Sequence, residues 1–152
     1  MLKQKRKVGD FLRIPLPNGK WGYGRVLDNA SYAIYDLVND KTTEISEIIK
    51  QGVLFILAAY KDAVTSERWI VIGHSPLEQA LIRLPMKFIQ DELNPEKFEL
   101  YDPNTGKTTP AKKQDCIGLE RAAVWEPFQV EERIVDHFSG KPNVWYEKMK
   151  VK

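Results

Sequence analysis

Asp10–Leu27 has the sequence DFLRIPLPNGKWGYGRVL, and this stretch decides the fold. Short runs rich in apolar residues lie on both sides of Pro17–Lys20, where the Asn-Gly pair tolerates positive φ at low steric cost. The pattern predicts a β-hairpin. In its second strand Gly22 and Gly24 alternate with larger residues, which favours a sharply twisted or bulged strand over a ligand contact.

Further short apolar runs, bounded by turn residues, predict that β structure dominates the chain. Three of them are single strand candidates, at Ser31–Val38, Val53–Tyr60 and Trp69–Ile72. A second hairpin is predicted from Phe98–Tyr101 and Lys107–Ala111, which flank a turn sequence. Two segments stay open: Glu44–Lys50 is a strand or one helical turn, and Pro76–Leu84 is a short helix or a loop.

One segment, Glu126–Phe138, has a clear helical pattern. Val130, Ile134 and Phe138 recur at four-residue spacing, and a proline at position 127 suits the first turn. We therefore expect an α+β fold, mostly antiparallel β, with a C-terminal amphipathic helix packed on the sheet.

Length and composition favour one domain over residues 1–152. The chain is 43% apolar, and no repeat or flexible linker divides it. Its single cysteine, Cys116, has no intramolecular partner, and the start shows no charged-then-apolar leader, so we expect a cytoplasmic protein. The longest apolar run, Val53–Tyr60, is far shorter than the roughly 20 residues of a membrane span.

Charge is unevenly distributed along the chain. Of the net +2, a basic N-terminal tail (residues 1–7: Lys3, Lys5, Arg6, Lys7) carries +4 and a lysine-rich C-terminal tail (residues 141–152) carries +3, which leaves the body at −5. The N-terminal charges are more typical of a solvated, frayed end than of a phosphate or lipid contact. The acidic body suits a basic partner surface, such as that of a nuclease.

The chain shows no motif for catalysis, a metal or a cofactor. His74, His137 and Cys116 form no short ligand motif, and Gly22-Tyr23-Gly24 lacks the rest of a phosphate-binding loop. Cys116 is expected to be a buried thiol. A hydrolase that uses Glu120 and Glu126, or Cys116, as catalytic residues is supported only by groups scattered along the sequence.

Over most of its length, the sequence resembles the immunity protein 26 family of bacterial polymorphic toxin systems. The resemblance is carried by Val8-Gly9-Asp10, Ile14-Pro15-Leu16, Gly24-Arg25-Val26, Val53–Ile56, Trp69–Gly73, Leu119-Glu120, Trp125-Glu126 and Arg133. These are mostly apolar residues and turn glycines, so they indicate a fold better than a site.

The resemblance implies a mostly β immunity protein that neutralises a cognate toxin by stoichiometric binding, without turnover. It supplies no contact residues. From charge and helical position alone we select Glu120, Glu126, Glu131, Glu132 and Asp136 as candidate partner-binding residues. Ordinary solvated carboxylates at a helix start are an equally good interpretation of Glu126 and Glu131. Trp145-Tyr146 either anchors a partner or packs back on the sheet.

A small β-barrel that binds nucleic acid is the alternative. Lys20, Trp21, Tyr23 and Arg25 interleave basic and aromatic side chains on one hairpin, as a stacking platform requires. Aromatic residues at alternate strand positions also fill a β core, and that interpretation is favoured.

Overall fold

The computed structural model describes residues 4–152, which form an α+β fold, as predicted. The strands are β1 (Asp10–Pro15), β2 (Trp21–Val26), β3 (Ser31–Asn39), β4 (Val53–Ala59), β5 (Ile70–His74), β6 (Lys87–Gln90), β7 (Phe98–Tyr101), β8 (Thr108–Ala111), β9 (Glu120–Arg121) and β10 (Val124–Trp125). The helices are α1 (Ile45–Ile48), α2 (Asp62–Thr65), α3 (Gln79–Ile82), α4 (Lys113–Cys116), α5 (Pro127–Phe138) and α6 (Val144–Met149).

The strands form two sheets. The larger has the order β10-β4-β3-β2-β1-β5, and the smaller has the order β8-β7-β6-β9. Pairing is antiparallel except where β10 joins β4 and β9 joins β6. The short segment 120–125 therefore leaves the edge of the smaller sheet and closes part of the edge of the larger one.

The N-terminal hairpin forms as the Asn-Gly turn predicts. Strands β1 and β2 pair antiparallel from Pro15 opposite Trp21 to Phe11 opposite Arg25. The register between β2 and β3 shifts at Gly22–Gly24, which confirms the predicted bulge. A Cβ on Gly22 would lie only 3.4 Å from Ile134 of helix α5, so the bare face of the strand is where that helix packs.

The main core lies between the larger sheet and helix α5. Val130 and Ile134 are fully buried there, together with Trp69 and Trp125. The helix begins where the sequence predicts, with Pro127 in its first turn and Glu126 as the residue before it. Burial of its apolar face anchors α5 on the sheet and leaves its remaining face outward.

Both segments that the sequence left open contain a short helix: Glu44–Lys50 contains α1 and Pro76–Leu84 contains α3. Several strand boundaries differ from the prediction by one or two residues. Strand β5 begins at Ile70 instead of Trp69, because the Trp69 backbone N–H donates to the carbonyl of Ala63 in helix α2.

Neither terminal stretch is the simple tail that composition suggests. Within 141–152, Asn143 caps α6 by accepting the Tyr146 backbone N–H at 2.9 Å. Near the other end, the Gln4 side-chain amide donates to the carbonyls of Val64 and Trp69. Arg6 Nη2 likewise donates to two backbone carbonyls. Lys3, part of the predicted basic tail, lies outside the described residues.

Candidate functional site

The five candidate carboxylates lie on or beside helix α5, but the structure gives them different surroundings. Two are paired with arginines, two hold helix α6, and one caps the start of α5 without an ion pair to any of residues 4–152. The division matters because a carboxylate already bonded to a cation of its own chain is poorly placed to bind a partner.

Glu120 belongs to an internal ion pair. Both of its oxygens accept hydrogen bonds at 2.8 Å from the guanidinium of Arg133 on α5. That guanidinium also lies over the rings of Phe55, at 3.8 Å, and Tyr146, at 4.1 Å. Bidentate geometry and stacking on two rings are the interactions that arginine makes better than lysine. The pair fastens α5 to β9 and β4.

Glu131 is the most buried of the five, with a relative exposure of 5%. It accepts hydrogen bonds from Arg68 Nε at 2.7 Å, from Arg68 Nη2 at 2.8 Å and from the indole N–H of Trp69 at 3.0 Å. The hydrogen bond to Glu131 raises the pKa of Arg68 above its usual value. Every bond formed by this carboxylate joins α5 to the segment before β5.

Glu132 and Asp136 attach helix α6 to helix α5. Glu132 accepts from the indole N–H of Trp145, and Asp136 accepts from the Asn143 side-chain amide at 2.9 Å. Both carboxylates remain partly exposed. They lie one turn apart on α5, so α6 runs beside the exposed flank of the helix.

Glu126 is the exposed member of the set. Its backbone N–H donates to Gln129 Oε1 at 2.9 Å, which caps the helix start. Its side chain takes part in a capping box with Gln129, and within residues 4–152 its carboxylate forms no ion pair. It borders a shallow depression with Tyr60, Lys61 and Asp62.

Exposed aromatic and apolar side chains lie beside these acids. Phe128 is 42% exposed, and its ring meets that of Trp145 edge-on at a centroid distance of 5.9 Å. Val144 of α6 is 53% exposed. We define the α5–α6 surface as six residues of these two helices and of the cap of α5: Glu126, Phe128, Glu132, Asp136, Val144 and Trp145. It combines rigid aromatic area with carboxylates, as protein interfaces often do.

The predicted nucleic-acid platform is not assembled. Tyr23 and Arg25 are fully buried, and Trp21 is covered on one face by the guanidinium of Arg13 at 3.9 Å. Tyr23 Oη donates to Asn39 or Thr43 at the end of β3. The alternation of these residues reflects core packing, the interpretation that the sequence favoured.

Arg25 organises the opening motif instead. Its Nε donates to the Gly9 carbonyl at 2.7 Å, and its Nη2 donates to the carbonyls of Ser75 and Pro76 at 2.7 and 3.1 Å. Its Nη1 contacts the Glu78 carboxylate at 3.1 Å. Gly9 has a φ of +98°, and a Cβ there would lie 2.6 Å from the Ser75 oxygen. Position 9 therefore requires glycine because of its positive φ and the nearby Ser75 oxygen, and Arg25 bonds the carbonyls of both residues.

The remaining candidates for chemistry are Cys116 and groups of possible metal ligands. Cys116 is fully buried, and burial raises the pKa of its thiol, which opposes formation of the reactive thiolate. Within residues 4–152 there is no group of three or more His, Cys, Asp or Glu side chains placed to hold a metal ion. Across the same residues, no helix is both long enough and apolar enough to cross a membrane.

Comparison with known proteins gives one match. Residues 7–99 match the model of a protein family described as immunity protein 26, and this part contains β1 to β6 with Gly9, Arg25 and Glu78. No curated protein and no solved structure matches the chain. The matched part ends before Leu119–Arg133, so the resemblance expected there from the sequence stays a prediction. Since the match covers more than half of the chain, the protein belongs to the immunity protein 26 family.

Proposed function

We propose that this protein neutralises its toxin by one-to-one binding through the α5–α6 surface, so that the toxin's active site or the surface beside it is covered. Membership in the family implies an immunity protein with a toxin as its partner, and the family is generally non-enzymatic. We extend this family role to a binding mechanism, in which the whole chain acts as one binding domain in the cytoplasm of the producing cell.

The observation that carries the choice of surface is Phe128 packed edge-on against Trp145 beside the exposed side chain of Glu126. Aromatic anchors supply much of the free energy of a protein complex, and charges at the rim set its specificity and association rate. Glu132 and Asp136 fix α6, so the aromatic pair is held rigid before binding. Glu120 and Glu131 are assigned a supporting role, because their bonds to arginine position α5.

A basic toxin surface is the occupant that this arrangement favours. Acidic side chains on the cap and flank of α5 would meet lysines or arginines of the partner, as they would on a nucleic-acid-cutting toxin. Calorimetric titration with the polypeptide encoded beside this protein tests the function itself. A one-to-one complex with nanomolar affinity supports it, whereas no heat and no protection from toxicity contradict it for that pair.

Two substitutions test the surface. Phe128→Ala is expected to weaken toxin binding by about 2 kcal/mol, roughly thirtyfold, because it removes a rigid anchor. Glu126→Lys is expected to weaken it about tenfold, mainly through slower association, since a like charge then faces the basic partner. Isothermal titration and surface plasmon resonance measure the two effects.

The matched control is Glu96→Lys, an equal charge reversal at an exposed position between β6 and β7. It should leave the affinity for the toxin unchanged. If both α5 variants bind the toxin as tightly as the wild-type protein while remaining folded, the interface lies elsewhere, even though neutralisation by binding would still hold.

A further inference from the structure

A cleft between the two sheets is lined by a lysine, Lys87, whose side chain is largely buried and forms no ion pair with any of residues 4–152. Strands β4 and β10 contribute Ala58 and Val124 to one wall, and the smaller sheet contributes Lys87, Ile89 and Tyr101 to the other. The volume of the cleft is about 320 Å³. This size falls in the range of pockets that bind small organic molecules.

Lys87 is 5% exposed, although it carries an ammonium group. Within the described residues, its Nζ forms no hydrogen bond and no ion pair. Glu120 lies opposite Lys87 in the β6–β9 pairing, but both of its oxygens are bonded to Arg133. Within residues 4–152 the one fully buried side-chain polar atom without a partner is Arg13 Nε, so the Lys87 ammonium reaches solvent although most of its side chain is buried. Partly desolvated ionisable groups concentrate at binding sites.

We propose that this cleft binds a small organic carboxylate whose charge is paired by Lys87 and whose apolar body lies between Ile89 and Val124. A single ammonium matches a monoanion, and the mostly apolar walls match a hydrocarbon or aromatic body. Lys87 also borders a second cleft, but Glu120 lines that one and would repel a carboxylate. The assignment is independent of the toxin interface on α5 and α6.

The cost of the buried charge predicts a pH-dependent stability. Burial lowers the pKa of Lys87 from its ordinary value of 10.5, and the nearby Glu120 charge only partly opposes this. The unfolded chain then binds the proton more tightly than the folded protein does, so stability rises with pH between the lowered pKa and 10.5. Lys87→Met, which keeps the length and removes the charge, should be at least as stable as wild type at neutral pH.

Thermal unfolding of the wild-type protein and of Lys87→Met, followed from neutral to alkaline pH, measures the difference in their stability. The advantage of Lys87→Met should shrink as the pH approaches 10.5, the ordinary value for lysine. A variant less stable than wild type at neutral pH would show that Lys87 has a stabilising partner, and the proposal would then be wrong.

Benzoate and its uncharged analogue benzamide are the probes for binding. In ¹⁵N NMR titrations of the wild-type protein, benzoate is expected to shift the backbone amides of Ala122, Ala123 and Val124, with benzamide about tenfold weaker or inactive. Lys87→Met should lose the preference for benzoate. The control Lys107→Met, at an exposed lysine in the β7–β8 turn, should keep it.

Equal shifts from both probes, or none at the cleft, would overturn the proposal. The comparison of the two probes uses wild-type protein only, so it decides the question even if Lys87→Met fails to fold. Repeating the titration on the toxin complex tests whether the carboxylate comes from a small molecule or from the toxin. If benzoate still binds to the complex, the cleft is a separate small-molecule site. If the toxin displaces benzoate, the proposal of a separate site is wrong.

Discussion

Arg25→Met is expected to lower the free energy of unfolding by about 4 kcal/mol, the largest stability effect that we predict. Arg25 is fully buried, and its guanidinium donates to the carbonyls of Gly9, Ser75 and Pro76. Methionine fills similar space but donates nothing, so three carbonyl groups and the Glu78 carboxylate lose their donor. Urea denaturation measures the effect as a lower midpoint with an unchanged slope.

Two further variants make this prediction specific. Arg25→Lys keeps the charge but replaces the planar fork with a single ammonium, so an intermediate loss is expected. Arg83→Met removes an exposed arginine and should change stability by no more than about 0.5 kcal/mol. Equal midpoints for Arg25→Met and Arg83→Met would mean that the network at Gly9 contributes nothing to stability.

Arg133→Met is expected to destabilise the protein by about 3 kcal/mol, because it removes the bidentate partner of the Glu120 carboxylate in a mostly buried site. The substitution also removes the guanidinium from between Phe55 and Tyr146, which loosens α6. Far-ultraviolet circular dichroism during urea denaturation measures the loss.

A double-mutant cycle isolates the ion pair from the stacking. Glu120→Gln in the Arg133→Met background should cost much less than Glu120→Gln alone, because the bidentate bonds are already absent. Additive losses in the double variant would show that Glu120 and Arg133 act separately, and the contribution would then belong to the aromatic contacts.

Local signals in the sequence predicted the secondary structure well. Both hairpins depend on turn residues that act within a few positions, and helix α5 depends on Pro127 and on apolar residues one turn apart. The short pieces were harder to predict, since α1, α3 and α6 have too few residues for a clear periodicity. Trp145 packs against α5, a contact that the sequence left open.

The roles of the candidate carboxylates depended on contacts that no local pattern records. Glu131 meets Arg68 across 63 positions of sequence, and Glu120 meets Arg133 across 13. In the sequence pattern, a helix glutamate that is bonded to a distant arginine looks the same as one in water. Of the five carboxylates, Glu126 is the exposed one, and it forms no ion pair with any of residues 4–152. The isolation of Lys87 was also invisible, because it depends on how Glu120 is already occupied.

Strand β10 closes part of the edge of the larger sheet, yet it lies near the far end of the chain from β1. During synthesis the ribosome therefore releases β1–β5 before the strand and helix that cover them. Until Trp125 and α5 emerge, the apolar edge of β4 is open to pairing with neighbouring nascent chains. The surface that we assign to the toxin arrives with the same late segment. A prematurely terminated product would thus lose its protection against aggregation and its capacity to bind the toxin together.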